Sequence, residues 1–207
     1  MTPEAIATLL QPYLADAPEP PTGWPHLYTQ LAIYLELLLK WNARTNLTAI
    51  RDPAEIVRRH FGESLFAAKH LGPCTTLLDF GSGAGFPGLP IQLLRPDIQV
   101  TLAESQGKKA SFLQEVIRTL NLPIKVLSCR VETLPLTQTF EITTLRAVDN
   151  MEAALHEAAA RTTSRLIVLT TTASPATQLL SPTFEPAARL PIPKSTEGIL
   201  EIFERRQ

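Results

Sequence analysis

The sequence predicts an α/β protein in which a seven-stranded, mostly parallel sheet follows a helical extension. From residue 76 onward, short apolar segments alternate with segments of helical spacing, which indicates βαβ units and parallel strands. The last two strand-like segments, residues 183–190 and 199–205, predict an antiparallel hairpin at one edge. We expect residues 1–71 to form the extension and residues 72–207 the sheet domain, the two making one compact unit.

Three helices are expected in the extension. The first covers about residues 2–13, since Thr-Pro is a common start of a helix. Residues 17–25 contain four prolines and predict an extended connector. Leucines at helical spacing predict a second helix over residues 27–41, and an Asp-Pro pair opens a third over residues 52–70.

The sheet domain divides into alternating strands and helices. The predicted parallel strands are residues 76–80, 98–103, 124–128, 141–145 and 165–170. The predicted helices between them are residues 87–94, 108–120 and 151–161. Because ligands of such sheets bind at the carboxyl ends of the strands, residues that follow the strands are the candidate site residues.

The most informative segment is DFGSGAGFPG at residues 79–88, where the first strand ends. Its glycines, Gly81 and Gly83 among them, allow an unusual turn and let a ligand approach the backbone. The GxGxxG at residues 83–88 is typical of dinucleotide binding. The overlapping DxGxGxG resembles the first motif of methyltransferases that use S-adenosylmethionine (SAM). We favour SAM, because a carboxylate beside the turn would repel a pyrophosphate; glycines that only shape a packed turn are a third interpretation.

Residues after three further strands complete the candidate site. Glu104 follows the second strand, where its carboxylate can accept hydrogen bonds from ribose hydroxyls or cap a helix. Val131 and Glu132 follow the third strand and are expected beside adenine. Arg146 follows the fourth, beside the methionine half of SAM and the acceptor, unless it forms only a structural ion pair.

Composition restricts the other classes of function. The chain has 207 residues and a net charge of −1, which gives no overall basic field for nucleic acid. Cys74 and Cys129 lack the spacing of a zinc site, and no apolar run is long enough to span a membrane. We expect a cytoplasmic, metal-free protein that contacts RNA, if at all, through basic clusters at residues 51–60 and 108–109.

The sequence also bears on the methyl acceptor. No Asn/Asp-Pro-Pro-Tyr/Phe motif follows the fourth strand, neither cysteine follows a proline there, and all tyrosines lie in the extension. An acceptor with a free lone pair needs no general base. N7 of guanine is such an atom, and its attack on the sulfonium methyl can be promoted by proximity and orientation alone.

Together these segments resemble the glucose-inhibited division protein B family, bacterial methyltransferases that form N7-methylguanine in small-subunit ribosomal RNA. The resemblance covers nearly the whole chain. Its most specific parts are Trp-Asn…Asn-Leu-Thr at residues 41–48 and the Gly-Phe-Pro-Gly that ends the glycine segment. Other matching parts are residues 40, 51–53, 59–60 with 63–64, 79–90, 95–96, 104–105 with 108–109, 130–132 and 146–147.

The resemblance implies a Rossmann-like SAM-dependent methyltransferase domain and roles for particular residues. It implies that Gly81, Phe86, Val131, Glu132 and Arg146 hold SAM. It implies that Arg130 and Arg146 matter for activity. The implied partner is small-subunit rRNA or an assembling small subunit, with the protein acting as a monomer.

The sequence departs from the family pattern at two cations. Leu169-Thr170-Thr171-Thr172 stands where a lysine and a glycine usually end the fifth strand, and no arginine lies near Gly198. Lys194 could replace one of these charges. The departures leave two alternatives: a SAM- and RNA-binding module without turnover, or a methyltransferase with a different acceptor, such as a protein or a small molecule.

Overall fold

The computed structural model describes residues 1–148, 150–171, 176–180 and 183–206. Its seven strands form one sheet of order β3-β2-β1-β4-β5-β7-β6. The strands are β1 (Thr76–Phe80), β2 (Gln99–Ala103), β3 (Lys125–Leu127), β4 (Phe140–Arg146), β5 (Thr162–Thr171), β6 (Phe184–Pro191) and β7 (Gly198–Arg205). The first five are parallel, and β7 pairs antiparallel with both β5 and β6. The predicted fold class is therefore confirmed.

The helices pack on the two faces of this sheet. They are α1 (Pro3–Leu14), α2 (Trp24–Asn42), α3 (Pro53–Ile56), α4 (Glu63–Lys69), α5 (Gly88–Leu94), α6 (Gly107–Leu120), α7 (Met151–Arg161) and α8 (Ala176–Leu180). Successive residues of a strand point to opposite faces. Leu77 accordingly belongs to the core that contains α1 to α6, and Leu78 to the core under α7 and α8.

The predicted elements differ from the observed ones mainly at their ends. Pro25 lies in the first turn of α2 rather than in the connector, because proline's fixed φ suits that turn. The strand predicted over residues 124–128 shortens to β3, since this edge strand pairs with β2 over only three residues. The 3₁₀ turn Val131–Thr133 and α8 were not predicted. Thr172 lies outside the described residues.

The helix predicted over residues 52–70 contains an unexpected π-helical segment. Asp52 caps it by accepting a hydrogen bond from the Glu55 N–H (2.8 Å), and the π segment, Val57–Gly62, separates α3 from α4. A Cβ at Gly62 would lie 2.7 Å from the Tyr13 ring, so α1 packs directly on this segment. Such segments recur at functional sites, and this one carries His60.

Among the described residues, no helix is long and apolar enough to cross a membrane.

Candidate functional site

The glycine segment forms a loop between β1 and α5, and its glycines fall into two groups. A Cβ at Gly83 (φ +57°) would meet only the Gly81 carbonyl oxygen, at 3.9 Å, and would otherwise point into open space. A Cβ at Gly85 (φ +94°) would collide with Leu89 and with the Tyr34 hydroxyl. The first part of the loop therefore leaves bare backbone for a ligand, whereas its second part is required for packing.

The buried carboxylate of Asp79 stabilises this loop. It is fully buried, where its Oδ2 accepts a hydrogen bond from the Gly88 N–H (3.1 Å) and its Oδ1 from the Thr144 hydroxyl (3.0 Å). Burial raises the pKa of Asp79 to about 6, against the opposing effect of these hydrogen bonds. The carboxylate thus occupies the start of α5, the position at which a dinucleotide fold binds pyrophosphate.

Glu104 lies at the carboxyl end of β2, beside the open part of the loop. Its Oε2 accepts a hydrogen bond from the Gly83 N–H (2.9 Å), and its Oε1 accepts one from the Gln106 N–H (2.7 Å). The residue is 6% exposed. A carboxylate has about four acceptor positions, so both oxygens can still accept hydrogen bonds from a ligand.

The loop after β3 forms the wall next to Glu104. Val131 is buried at the start of the 3₁₀ turn and presents an apolar surface to the pocket. Arg130 and Glu132 flank it and are exposed. Cys129 and Lys109 also line this wall.

Arg146, the last residue of β4, forms the opposite wall. Its Nη2 contacts three acceptors: the Arg59 carbonyl oxygen (2.9 Å), Glu63 Oε2 (2.9 Å) and His60 Nδ1 (3.0 Å). The Arg146 and Glu63 side chains are 14% and 10% exposed. All three contacts use one nitrogen, so Nε and Nη1 of Arg146 face no acceptor among the contacts of the described residues.

His60 fixes the geometry around this guanidinium. Its ring stacks on Phe86 with 4.8 Å between centroids, and its Nε2 lies 2.7 Å from Thr48 Oγ1. Burial, reinforced by Arg146 and Arg59, lowers the pKa of His60 to about 3, so the ring is neutral at physiological pH. Both ring nitrogens are engaged, and His60 is therefore not a free general base.

These walls enclose one pocket of about 750 Å³ at the carboxyl ends of β1, β2 and β4. The structure brings every predicted site residue to it: Gly81, Gly83, Phe86, Glu104, Arg130, Val131, Glu132 and Arg146. Sequence reasoning missed Leu47 and Thr48 as lining residues and did not pair Glu63 with Arg146. The only sequence signal for Leu47 and Thr48 was the Trp-Asn…Asn-Leu-Thr block at residues 41–48.

Asn42 explains why that block has a fixed shape. Its Oδ1 accepts hydrogen bonds from the Leu47 N–H (2.9 Å) and the Thr48 N–H (3.0 Å), and its Nδ2 donates to the Thr48 carbonyl oxygen (3.0 Å). One buried amide thus closes the turn after α2. Arg51 also stabilises this turn, because it donates to the Asn42 carbonyl oxygen (2.7 Å) and to Asn46 Oδ1 (3.0 Å).

The two positions that lack the expected cations are neighbours in the sheet. Thr170, near the carboxyl end of β5, pairs with Ile199, the residue after Gly198 at the start of β7. Lys194 lies in the exposed turn between β6 and β7, close to the same end of the sheet. Neither Thr170 nor Gly198 lines the pocket. In the part of the chain that the structure describes, no cluster of His, Cys, Asp and Glu could hold a metal ion.

Comparisons with known proteins agree with this architecture. Ribosomal RNA small subunit methyltransferase G of Nitrosomonas europaea is 43% identical over 137 residues, which cover 65% of this chain and 63% of that protein. The protein of the same name from Xylella fastidiosa (strain 9a5c) is 48% identical over 122 residues, covering 58% and 57%. The matched part is thus less than two thirds of the length of these relatives.

Solved structures with low sequence identity share the fold. The N-methyltransferase NodS of Bradyrhizobium japonicum, solved with S-adenosyl-L-homocysteine, has a TM-score of 0.60 at 12% identity, covering 88% of this chain and all of that one. A T. thermophilus 16S rRNA N2 methyltransferase, solved with AdoMet and guanosine, has a TM-score of 0.57 at 22% identity, covering 70% and 43%.

A family model described as rRNA small subunit methyltransferase G (GidB) matches residues 27–180, which is well over half of the chain. That stretch contains most of α2, the glycine loop and both walls of the pocket. The chain belongs to the GidB family.

Proposed function

We propose that this protein transfers the methyl group of SAM to N7 of a guanine in small-subunit rRNA. One observation carries the proposal: a single pocket joins bare glycine backbone and the Glu104 carboxylate on one side to Arg146 on the other. The names of the relatives support the substrate class. The alternative dinucleotide is disfavoured, because Asp79 already occupies the N–H of Gly88 that a pyrophosphate would need.

The residues of the pocket fit SAM in chemistry and in shape. The space at Gly83 that a Cβ would fill is open, as a cofactor lying on the loop requires. In the proposed arrangement Glu104 accepts hydrogen bonds from the ribose, Val131 packs on adenine, and the backbone at Glu132 contacts the edge of the base. Gly81, Phe86 and the two free nitrogens of Arg146 hold the methionine half.

SAM supplies an electrophilic methyl group, and the protein holds SAM and the guanine in the orientation that the reaction needs. The N7 lone pair of guanine can attack in line, so no residue has to remove a proton. Glu63 balances the charge of Arg146 at the end of the pocket where the acceptor enters. We assign Arg130, which is exposed at the mouth, to contact with RNA phosphate, and propose that Arg130 and Arg146 support activity.

The remaining assignments belong to the same proposal. The extension (residues 1–71) and the sheet domain (72–207) act as one unit, because helices of both contribute to one core. The protein acts as a monomer in the cytoplasm, on an assembled or assembling small subunit.

The experiment measures transfer of labelled methyl from SAM to small subunits purified from a strain that lacks this gene, followed by nucleoside mass spectrometry. We expect N7-methylguanosine with the wild type and with Arg118→Ala, a control for an exposed arginine on α6, and a loss of at least tenfold with Arg146→Ala. This loss corresponds to at least about 1.4 kcal/mol. A different methylated nucleoside, or methylation of protein that survives ribonuclease, would contradict the proposed acceptor.

A second candidate, a SAM- and RNA-binding module without turnover, is favoured by the absence of both cations near Thr170 and Gly198, which lie on adjacent strands at one end of the sheet. RNA affinity depends strongly on phosphate contacts, so losing two charges at one place weakens binding of the substrate. SAM binding measured by calorimetry, with no methyl transfer to any ribosomal substrate, would select this candidate.

A further inference from the structure

Thr48 carries a hydroxyl whose proton faces no acceptor among the contacts of the described residues, and the structure determines why. A guanidinium has only donors, so His60 Nδ1, 3.0 Å from Arg146 Nη2, must be the acceptor. The proton of the neutral ring is then on Nε2, which donates to Thr48 Oγ1 at 2.7 Å. The two hydrogen bonds therefore run in one direction: Arg146 donates to His60, and His60 donates to Thr48.

The second lone pair of Thr48 Oγ1 is also used, because the Ile50 N–H donates to it at 3.2 Å. A hydroxyl has two acceptor positions and one proton. With both positions filled, the oxygen can act only as a donor. Thr48 is partly exposed and lines the pocket, so this donor is available to a ligand.

The position of this donor indicates which ligand it meets. Glu104 and Arg146 follow β2 and β4, on opposite sides of β1. Thr48 and His60 lie with Arg146, away from the ribose side. In the proposed function, the methyl acceptor approaches on that side. Guanine presents two acceptors there, N7 and O6, whereas adenine presents N7 and an N6 amino donor.

We propose that Thr48 is a base-positioning residue whose hydroxyl donates a hydrogen bond to O6 of the guanine and so selects guanine over adenine. This inference rests on the proposed function. A hydroxyl that already accepts two hydrogen bonds can donate one to a carbonyl oxygen. It cannot pair with an amino group, because that group is also a donor. Because the bond is made equally before and during methyl transfer, it contributes to KM rather than to kcat.

The first test compares Thr48→Val with Thr48→Ser on small subunits from the strain lacking the gene. We expect Val to raise the KM for subunits about tenfold with kcat within about twofold, since a lost hydrogen bond of this kind costs roughly 1.4 kcal/mol. Ser, which keeps the hydroxyl, should stay close to wild type. Thermal unfolding and SAM affinity are measured for both variants. Val should lower the melting temperature, because the His60 Nε2–H and the Ile50 N–H lose their acceptor, whereas Ser keeps that acceptor and should not.

The second test separates base contact from loop structure. Subunits are rebuilt with 2-aminopurine, which keeps N7 but lacks O6, at the methylated position. We expect wild type to lose about tenfold in kcat/KM on this substrate and Thr48→Val to lose almost nothing further, because both changes remove the same bond. Equal KM values for Val and Ser, or additive losses, would overturn the proposal. Absence of wild-type turnover would instead contradict the proposed function, and this inference with it.

Discussion

Glu63 and Arg146 form an ion pair of 2.9 Å across 83 positions of sequence, and it joins the start of α4 to the carboxyl end of β4. Both side chains are almost buried, so each charge depends on the other. The pair attaches the helical extension to β4, the strand whose Arg146 lines the pocket. It also explains how an arginine can end a strand of the sheet interior.

Removing the charge of Glu63 should destabilise the protein. We expect Glu63→Gln to lower the free energy of unfolding by about 3 kcal/mol, because it leaves a nearly buried guanidinium without a counter-ion. Glu63→Asp keeps the charge and is the matched control, with an expected loss of about 1 kcal/mol. Urea unfolding at pH 7 measures both. A Gln variant as stable as the Asp variant would contradict the importance of the ion pair.

Gly83 in the loop and Gly88 at the start of α5 should respond differently to alanine. Gly83→Ala places a Cβ in open pocket space, so we expect SAM affinity to fall at least tenfold, or about 1.4 kcal/mol, and the φ of +57° to cost stability by about 1 kcal/mol. Gly88→Ala places a Cβ 2.8 Å from Asp79 Oδ2. We expect it to lower the free energy of unfolding by roughly 2–3 kcal/mol.

Calorimetry with SAM and urea unfolding separate these two effects. If Gly83→Ala binds SAM as tightly as the wild type does, the cofactor does not lie on the open part of the loop, and the central assignment of the pocket is wrong.

Asp79 should make stability depend on pH. Its pKa is about 6 in the folded protein against 3.8 ordinarily, so between pH 4 and 6 the folded state binds more protons than the unfolded state. Stability contributed by this group is therefore lost as pH rises through that window, and the full effect is about 3 kcal/mol. Asp79→Asn removes the titration, and its oxygen and amide can still pair with Gly88 and Thr144.

The measurement is the free energy of unfolding of Asp79→Asn minus that of the wild type, at several pH values. We expect this difference to increase from pH 4 to pH 6 and to level off above. His60 acts in the opposite direction, since its lowered pKa causes stability to fall as pH drops below 6.5, but it is present in both proteins and cancels. A difference independent of pH would disprove the effect.

Lys194 should contribute to binding of RNA if it replaces a missing cation. We expect Lys194→Gln to weaken binding to small subunits about threefold and to reduce the slope of log affinity against log salt by about 0.7–0.9, as for one phosphate contact. Lys125→Gln is the control, because Lys125 is an exposed lysine at the start of β3, at the other end of the strands. Identical salt dependence of the two variants would exclude this role.

Much of the fold could be predicted because its determinants are local. β1 and α7 have the predicted bounds, and the antiparallel hairpin was expected from the last two segments. The hydrophobic periodicity of strands and helices can be read from consecutive residues, and the glycines indicate the loop directly. Errors occurred where tertiary contacts decide: β3 is limited by its pairing with β2, and the π segment is packed against Tyr13.

The sequence by itself determined the parallel direction of the first five strands, the glycine loop and the residue types at the ends of β2, β3 and β4. Only the tertiary structure decided which groups meet. It buried Asp79 beneath the loop, paired Arg146 with Glu63, and directed His60 toward Thr48. The physical reason is that periodicity reports short-range geometry, whereas the direction of a hydrogen bond and the partner of a buried charge depend on side chains brought together from distant parts of the chain.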